Sequence, residues 1–406
     1  MTKARVLSGM RATGEMHLGH YHGVLKNWLS LQNEYECVFF VADWHALTTH
    51  YANHLDLEAQ VREMVLAWLS VGIDPKKAHI AIQSHIPEHA ILHLLLSMIT
   101  PLSWLERVPT YKDQQLKLQD KDLSTYGFLG YPLLQAADIL IYRANAVPVG
   151  EDQAPHVEFA REMARRFNYL YGRDKDFEEK AQTAIEKLGK RQAKAYLEAF
   201  KAYQEKGDVE LLGEGQAIVQ SAAGLNESDK ERLMGYLEGT GKIILIEPQL
   251  LLTPASKMPG LDGQKMSKSY HNTIMLTDKP DVVDHKVKTM PTDPARVRRT
   301  DPGTPEKCPV WAFHEIYSNE ETKAWVQKGC TTAGIGCIEC KRPIMEAINK
   351  ELAPIQARRA ELEAEPGLVN SIVSEGTRSA RTLAQETLKE VNVAMGLHYS
   401  SAILES

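Results

Sequence analysis

Short runs of consecutive apolar residues alternate with amphipathic helical patterns along residues 1–172. The apolar runs at 5–8, 37–42 and 78–83 are typical of strands that are buried on both faces of a parallel sheet. Apolar residues at helical spacing follow the second run: Val61, Met64, Val65, Trp68 and Leu69. Three further helices are expected at 88–100, 132–143 and 155–168. This alternation predicts an α/β fold with a doubly wound parallel sheet.

The pattern changes at Gly172. The following segment, 173–241, is rich in Lys, Glu and Ala, which predicts a helical insertion. An apolar run at 242–246 predicts a returning strand, and a segment rich in Gly and Pro comes after it. Two long helical patterns, near 342–364 and 376–396, predict a helical C-terminal part. We therefore divide the chain into an α/β domain, an insertion, a continuation of the α/β domain and a C-terminal helical domain, at 1–172, 173–241, 242–285 and 286–406.

The composition narrows the class of protein. The 406 residues are 43% hydrophobic and 25% charged, which is ordinary for a globular protein and excludes a disordered or collagen-like one. The formal net charge of −6 excludes a globally basic nucleic-acid coat, so a polyanionic partner would meet local patches. No apolar stretch is typical of a signal peptide or a membrane span. Because five cysteines are too few for a disulfide scaffold, we expect a cytoplasmic protein with no membrane partner.

A first candidate site follows the first predicted strand, in the segment Arg11-Ala-Thr-Gly-Glu-Met-His-Leu-Gly-His20. Its glycines allow the backbone to approach a ligand closely, and the free N–H groups at a helix start attract anions. His17 and His20 can lie on one face of that helix and donate hydrogen bonds to phosphate oxygens. Taken alone, such a cluster is more often a turn with two solvated histidines.

A second candidate site is Gly263-Gln-Lys-Met-Ser-Lys-Ser269, in the segment rich in Gly and Pro. The ammonium groups of Lys265 and Lys268, with a hydroxyl between them, can hold a pyrophosphate as negative charge develops on it. A mobile loop suits a group that closes on a leaving group and then releases it. Taken alone, the segment also fits a solvated basic loop.

Together the two segments are far more specific than either alone. His-x-Gly-His after the first strand and Lys-Met-Ser-Lys-Ser late in the chain resemble the signature pair of the class I aminoacyl-tRNA synthetases. Further segments resemble the tryptophanyl-tRNA synthetase family: Ala42-Asp-Trp-His45-Ala-Leu-Thr, Leu105-Glu-Arg-Val, Tyr131-Pro-Leu-Leu-Gln135-Ala-Ala-Asp138-Ile-Leu and Val149-Gly150-Glu151-Asp152-Gln153-x-x-His156. The resemblance covers 1–172 and 243–406. It implies a Rossmann-like, HUP-type catalytic domain with a C-terminal all-helical anticodon-binding domain.

The resemblance also implies roles for these residues. It places ATP along Arg11, Ala12, Thr13, Gly19, His20, Gly150, Glu151, Asp152, Lys265, Met266, Ser267, Lys268 and Ser269. Four of the signature residues would carry catalysis: His17, His20, Lys265 and Lys268. The two lysines would neutralise the leaving pyrophosphate together with Mg²⁺. It places tryptophan against Gly9, His45, Tyr131, Gln135, Asp138 and Gln153.

Asp138 is the candidate residue for recognition of the side chain. It falls in an otherwise apolar helix, where an unpaired carboxylate is costly, and the indole N–H of a bound tryptophan would give it a partner. The alternative is a carboxylate on a helix face, paired with a nearby cation. The chain departs from the family pattern at His20, where Asn is frequent, and at Gln135, where many bacterial members carry Met. These departures affect the pocket wall and leave the reaction unchanged.

Four of the five cysteines are clustered: Cys308, Cys330, Cys337 and Cys340. Four thiolates this close in a cytoplasmic chain indicate a metal site, and their spacing fits both structural Zn²⁺ and an iron–sulfur cluster. Zinc ribbons usually carry two Cys-x-x-Cys pairs, and this chain has one. The segment 329–340 resembles a subset of tryptophanyl enzymes that carry a [4Fe-4S] cluster, which implies that cluster here, with Zn²⁺ as the alternative.

Basic residues flank this cysteine cluster: Arg296, Arg298, Arg299, Lys307, Lys341 and Arg342. Clustered Arg and Lys suit contact with tRNA phosphates, although short charge runs are usually solvated faces. Three histidines at four-residue spacing, His85, His89 and His93, also raise the question of a metal site. We expect them instead to mark a helix end and its exposed side.

The resemblance implies an enzyme that activates L-tryptophan with ATP and transfers it to the 3′ end of tRNA(Trp), as a homodimer. Two alternatives stay open. A tyrosyl-type class I synthetase shares the fold and the mechanism, but the Gly-Glu-Asp-Gln segment and the surroundings of Asp138 argue against it. A non-catalytic RNA-binding or regulatory relative would have lost its nucleotide chemistry, whereas both signature pairs are intact here.

Overall fold

The computed structural model describes residues 3–12, 14–51, 56–108, 124–173, 176–252, 258–365 and 367–399, with only the backbone of Asp152. Within these residues one parallel sheet forms, from β1 (Arg5–Arg11), β2 (Glu36–Ala42), β3 (Ala78–Ile82), β4 (Ala146–Val149) and β5 (Gln249–Leu252). The strand order is β3-β2-β1-β4-β5. The order therefore reverses between β1 and β4, and such a reversal opens a crevice at the carboxyl ends of the strands. The predicted doubly wound α/β fold is confirmed.

Helices pack on both faces of this sheet. The first part of the chain contains α1 (Leu18–His20), a π-helical turn (Tyr21–Leu25), α2 (Lys26–Glu34), α3 (Asp43–Leu47), α4 (Leu57–Val71), α5 (Glu88–Ser97), α6 (Leu102–Arg107), α7 (Tyr126–Leu129), α8 (Tyr131–Ile141) and α9 (Ala154–Tyr171). Neighbouring residues of β2 point to opposite faces, as a pleated strand requires. Phe39 stacks on Trp28 at 4.2 Å in one core, and Phe40 belongs to the other core together with residues of α8 and α9.

The insertion is helical, as predicted. It consists of α10 (Phe177–Lys187), α11 (Gly189–Lys206), α12 (Val209–Ser221) and α13 (Glu227–Leu237). These helices pack around an apolar cluster of their own, and within it the buried Tyr196 hydroxyl donates to the carbonyl of Leu233. A separate core explains how this segment interrupts the α/β domain without disturbing the sheet.

The strand predicted at 242–246 is wrong. Ile244 and Leu245 are buried, but their backbone N–H groups donate to the side-chain oxygen of Asn168, at 2.9 and 3.0 Å, instead of to a neighbouring strand. The strand that returns to the sheet is β5, which lies three residues further on. An apolar run therefore marked burial correctly, while a buried asparagine on α9 took the place of a strand partner.

The C-terminal part is helical, as predicted. It contains α14 (Pro280–Thr289), α15 (Pro309–Tyr317), α16 (Glu320–Thr331), α17 (Cys337–Ala364) and α18 (Leu368–Ala394). The last helix covers the sheet edge at β3: a Cβ on Gly376 would lie 2.2 Å from the carbonyl oxygen of Ile80, so only glycine allows this approach. None of the helices in the described ranges is long and apolar enough to cross a membrane.

Candidate active site

A cavity of about 360 Å³ opens between β1 and β4, at the carboxyl ends of the strands. Its walls include all six residues predicted to hold the amino acid: Gly9, His45, Tyr131, Gln135, Asp138 and Gln153. Arg11 and Gly150, both predicted to hold ATP, line the same cavity. Gly9 keeps it open, because a Cβ there would lie 2.5 Å from the Phe40 ring. The structure thus brings the two predicted ligand sets together at the point where the strand order reverses.

The carboxylate of Asp138 is buried and already accepts several hydrogen bonds. Its Oδ1 accepts from His89 Nδ1 at 2.7 Å and from Gln83 Nε2 at 2.8 Å. Its Oδ2 lies 2.9 Å from His45 Nε2. Burial alone would raise the pKa of Asp138, but the hydrogen bonds from His45 and His89 lower it to about 2. Asp138 is therefore a fixed negative charge at the wall of the cavity.

The sequence analysis missed the residues behind Asp138. We expected His89 on an exposed helix side, which is wrong: it is fully buried, and its Nε2 lies 2.8 Å from the Tyr142 hydroxyl. Because Nδ1 faces a carboxylate, the Tyr142 hydroxyl donates to Nε2 and sets the tautomer. One signal was available, since His89 lies in register with the buried Leu92 and Leu96 on α5.

His17 and His20 form a stacked pair at the start of α1. Their ring centroids lie 3.7 Å apart, and the backbone N–H of His17 donates to His20 Nδ1 at 3.4 Å. Burial, together with nearby lysines, lowers the pKa of His17 to about 4 and that of His20 to about 3. Both imidazoles are therefore neutral near pH 7, so they offer hydrogen bonds to a phosphate rather than charge.

The loop with the second signature lies against the first. Lys268 Nζ donates to the carbonyl of Glu15 at 2.9 Å, and the backbone N–H of Gly19 lies 3.3 Å from Met266 Sδ. A positive φ of 82° at Gly263 and a hydrogen bond from Ser267 N to Asn272 Oδ1 at 2.7 Å shape the loop. Burial lowers the pKa of Lys268. The fold thus brings together two signatures that are far apart in the chain, since Gly19 and Met266 are separated by 247 positions.

The remaining predicted ATP residues are placed as follows. Ala12 is buried, whereas Glu151, Lys265 and Ser269 are exposed. Thr13 and the side chain of Asp152 lie outside the described residues. Of the described residues predicted to bind ATP, Arg11 and Gly150 line the cavity, and the others lie before or in α1, just before α9 or in the loop of the second signature.

The four clustered cysteines lie on neighbouring elements, and all are free thiols. Burial and, after it, the charges of the other three cysteines raise the pKa of Cys340 to about 12. Arg296 Nη1 lies 3.8 Å from Cys330 Sγ, and His314 Nε2 lies 3.4 Å from Cys340 Sγ. Among the described residues, however, no group of three or more His, Cys, Asp or Glu could hold a single metal ion.

Two of the six basic residues near these cysteines do not face solvent. Arg296 is buried and donates to the carbonyl of Ile335 at 2.6 Å, and Lys341 is 2% exposed and donates to the carbonyl of Met290 at 2.7 Å. Both cations satisfy backbone carbonyls, so they hold the local fold together. The other four remain exposed: Arg298, Arg299, Lys307 and Arg342.

The chain is similar to known proteins over nearly its whole length. The family model described as tRNA synthetases class I (W and Y) matches residues 1–194 and 215–353. A tryptophan–tRNA ligase of Ralstonia nicotianae is 62% identical over 400 residues, covering 98% of this chain and 100% of that protein. A tryptophan–tRNA ligase of Thermotoga maritima is 43% identical, with 97% and 100% covered. The solved structure of the tryptophanyl-tRNA synthetase of Campylobacter jejuni, complexed with ADP and tryptophan, matches with a TM-score of 0.70 and 26% identity, covering 97% of this chain and 99% of that one.

Proposed function

The chain belongs to the class I tRNA synthetases of the tryptophan and tyrosine type, and from this premise we propose how its own residues perform the reaction. Its activity is that of its 62% identical relative, a tryptophan–tRNA ligase. It activates L-tryptophan with ATP and then transfers the amino acid to tRNA. The tyrosyl alternative and the non-catalytic alternative are both disfavoured, because relatives that align over almost the entire chain are tryptophan–tRNA ligases.

We propose that the cavity between β1 and β4 binds tryptophan, with Asp138 accepting the indole N–H. The observation that carries this proposal is the convergence of all six predicted residues on that one cavity. A carboxylate has room for about four hydrogen bonds. Here His89 and His45 take one oxygen each, and Gln83 Nε2 lies 2.8 and 3.0 Å from the two oxygens. Because one Gln83 N–H can be shared between both oxygens, the carboxylate would accept one further N–H, that of the indole. Phenylalanine has no donor in its ring and would leave the carboxylate without this hydrogen bond. Tyrosine has a hydroxyl donor, so the preference for tryptophan over tyrosine rests on the tryptophan–tRNA ligase relatives.

ATP would extend from this cavity towards the two signatures. The tryptophan carboxylate attacks the α-phosphorus, the bond to the bridging oxygen breaks, and pyrophosphate leaves with that electron pair. His17 and His20, as neutral donors, would orient the phosphates, while Lys265 and Lys268 would meet the charge that develops on the leaving group. Mg²⁺ bound with ATP would share this neutralisation. A ribose hydroxyl at the 3′ end of tRNA then attacks the carbonyl carbon of the adenylate, the bond to the phosphate oxygen breaks, and AMP leaves.

The cysteine cluster suits a [4Fe-4S] cluster bound by Cys308, Cys330, Cys337 and Cys340. Two observations support the fit: the cysteines lie just before α15, near the end of α16 and in the first turn of α17, and groups of Arg296 and His314 face two of the sulfurs. Such groups stabilise thiolates. The cluster would hold α15, α16 and α17 together at one end, beside the exposed cations that we propose contact the tRNA. Structural Zn²⁺ is the alternative from the sequence, although the four thiols as they stand among the described residues are not arranged to hold one metal ion.

A homodimer is supported by an exposed apolar patch on α5, α6 and α7. Its large side chains are between 41% and 67% exposed: Ile91, Leu94, Met98, Leu102 and Tyr126. The ring of Tyr126 lies 6.4 Å from that of His93 on α5, which makes the patch continuous. Apolar patches of this kind mark protein interfaces, and a second copy of the chain is the partner that we propose.

The domain division at 172, 241 and 285 and the cytoplasmic location remain predictions.

The proposed function is tested by exchange of labelled pyrophosphate into ATP with purified protein and no tRNA. Tryptophan should support exchange, followed by charging of tRNA(Trp) when tRNA is added. Absence of exchange from folded protein would contradict the assignment of the cavity and both signatures.

A further inference from the structure

The helix that follows His20 is joined to the C-terminal helices by a buried polar network. The turn Tyr21–Leu25 is π-helical, and such widened turns are frequent at functional sites. Within it His22 is 7% exposed, and its Nε2 lies 2.9 Å from Glu351 Oε2 and 3.0 Å from the Tyr317 hydroxyl. Lys26, one turn further on, places Nζ 2.7 Å from Glu351 Oε1. We call His22, Lys26, Tyr317 and Glu351 the joint.

The carboxylate of Glu351 is the centre of the joint. The Tyr317 hydroxyl also donates to it, at 2.8 Å. Although burial acts to raise the pKa of Glu351, the hydrogen bonds and charges of His22, Lys26 and Tyr317 lower it to about 2. A charged, part-buried acceptor with three donors fixes the direction of each of them, because any rotation would leave a buried group unpaired.

The two helices that supply Tyr317 and Glu351 contact each other through side chains in the last turn of α15. Tyr317 is the last residue of α15, and Cys308 precedes its first residue. Glu351 lies on α17, which begins with Cys337 and also carries Cys340. His314 Nε2 on α15 lies 3.4 Å from Cys340 Sγ on α17. The His314–Cys340 and Tyr317–Glu351 contacts therefore join the last turn of α15 to α17.

The same helix α17 also contacts the segment that follows the second signature. Gln356 Nε2 donates to the carbonyls of Leu276 and Asp278, at 3.1 and 2.9 Å. That segment is bonded in turn to the first signature, since Leu276 N donates to the carbonyl of Met16 at 2.9 Å. One helix thus reaches the turn that follows His20 through Glu351. Through Gln356 it reaches residues 276–278, which follow the Lys265/Lys268 loop and are bonded to Met16 beside His17.

We propose that the joint is a set of positioning residues for ATP, which fixes the His17/His20 helix start relative to the Lys265/Lys268 loop from the C-terminal helices. None of its residues lines the amino-acid cavity. Loosening the joint should therefore misplace the phosphates and leave the tryptophan site intact. The proposal rests on the ATP roles proposed above.

The test compares Glu351→Gln with a matched change on the same helix, Glu361→Gln, whose side chain is exposed. In pyrophosphate exchange by the full-length, metal-replete protein, Glu351→Gln should lower kcat/KM for ATP by about 3- to 30-fold, the range of energetic coupling between sites. The dissociation constant of tryptophan, measured by equilibrium dialysis, should stay unchanged, and Glu361→Gln should behave as wild type. A lower thermal midpoint with unchanged ATP kinetics would overturn the proposal, since it would show a purely structural role.

A double variant separates positioning from general damage. If the joint acts as a unit, His22→Gln combined with Glu351→Gln should cost no more in kcat/KM for ATP than the worse single change. Fully additive losses would contradict it. Tyr317→Phe keeps the ring packing and should lose less than Glu351→Gln. If the proposed function itself is wrong, the wild-type protein will show no tryptophan-dependent exchange. If the wild-type protein shows exchange and the variants behave as it does, only the proposed role of the joint is refuted.

Discussion

Replacement of Asp138 by asparagine isolates the charge that we assign to recognition of the indole. Asp138→Ala is a poor probe, because it would leave buried donors of Gln83, His89 and His45 unpaired, at about 1–3 kcal/mol each. Asp138→Asn keeps the volume and one acceptor oxygen. Its amide NH₂ would face one of the existing donors, so we expect a loss of stability of about 1–3 kcal/mol and a folded enzyme.

The kinetic effect follows from the hydrogen bond that is lost. A hydrogen bond to a charged acceptor is worth about 1.5–3 kcal/mol, so kcat/KM for tryptophan should fall by about 10- to 100-fold. The KM for ATP should change little, because the joint and both signatures are untouched. Asp281→Asn, an exposed residue at the start of α14, is the matched control.

A substrate analogue makes this test specific to the indole N–H. In β-(3-benzothienyl)alanine a sulfur replaces that N–H in a ring of similar shape. The wild-type enzyme should discriminate strongly against the analogue in pyrophosphate exchange, and Asp138→Asn should lose most of this discrimination. If both enzymes discriminate equally, Asp138 does not recognise the N–H, and the reasoning from its buried charge is refuted.

Four further predictions concern the rest of the molecule. Lys268→Ala should lower kcat for exchange by about 10²–10³-fold with little change in tryptophan affinity, and a pure KM effect would contradict its transition-state role. The folded-state pKa values of His17 and His20 are about 4 and 3, below the ordinary 6.5, so at pH values between these the unfolded chain binds more protons than the folded chain. The free energy of unfolding should therefore fall as the pH is lowered from 7 to 5, and it should fall less in His17→Gln. An equal pH dependence of the two unfolding free energies would count against this. Protein prepared anaerobically should contain iron and acid-labile sulfide, whereas a colourless preparation with stoichiometric zinc would replace the cluster by a zinc site. Leu94→Asp combined with Met98→Asp should convert a dimer into a monomer in sedimentation experiments, and an unchanged mass would place the interface elsewhere.

The long strands and helices were predictable because their apolar patterns have a single physical reading. Consecutive apolar residues at 37–42 fit only a strand covered on both faces, and β2 is indeed buried there. The strands β4 and β5 were missed because each has only four residues, too few to show a pattern, and β4 also contains Pro148. The false strand at 242–246 arose because sequence shows burial but not which group accepts a backbone N–H, here the side chain of Asn168.

The residues of the candidate site were likewise only partly predictable from the sequence. The residues that line the cavity were identified from the family resemblance, and the fold brings them together as parallel strands bring their carboxyl ends together. The partners of these and neighbouring residues, such as His89 behind Asp138 and Glu351 behind His22, come from other helices of the chain. Such partners depend on tertiary packing, which a local pattern does not encode.

Amino-acid-dependent exchange of pyrophosphate into ATP, compared across tryptophan, tyrosine and phenylalanine in the absence of tRNA, tests the central claim most directly. The account predicts rapid exchange with tryptophan and none above background with the other two, because phenylalanine offers Asp138 no donor and the relatives that align over almost the entire chain are tryptophan–tRNA ligases. Exchange supported by tyrosine would contradict the assigned specificity, and no exchange with any of the three would contradict the assigned chemistry.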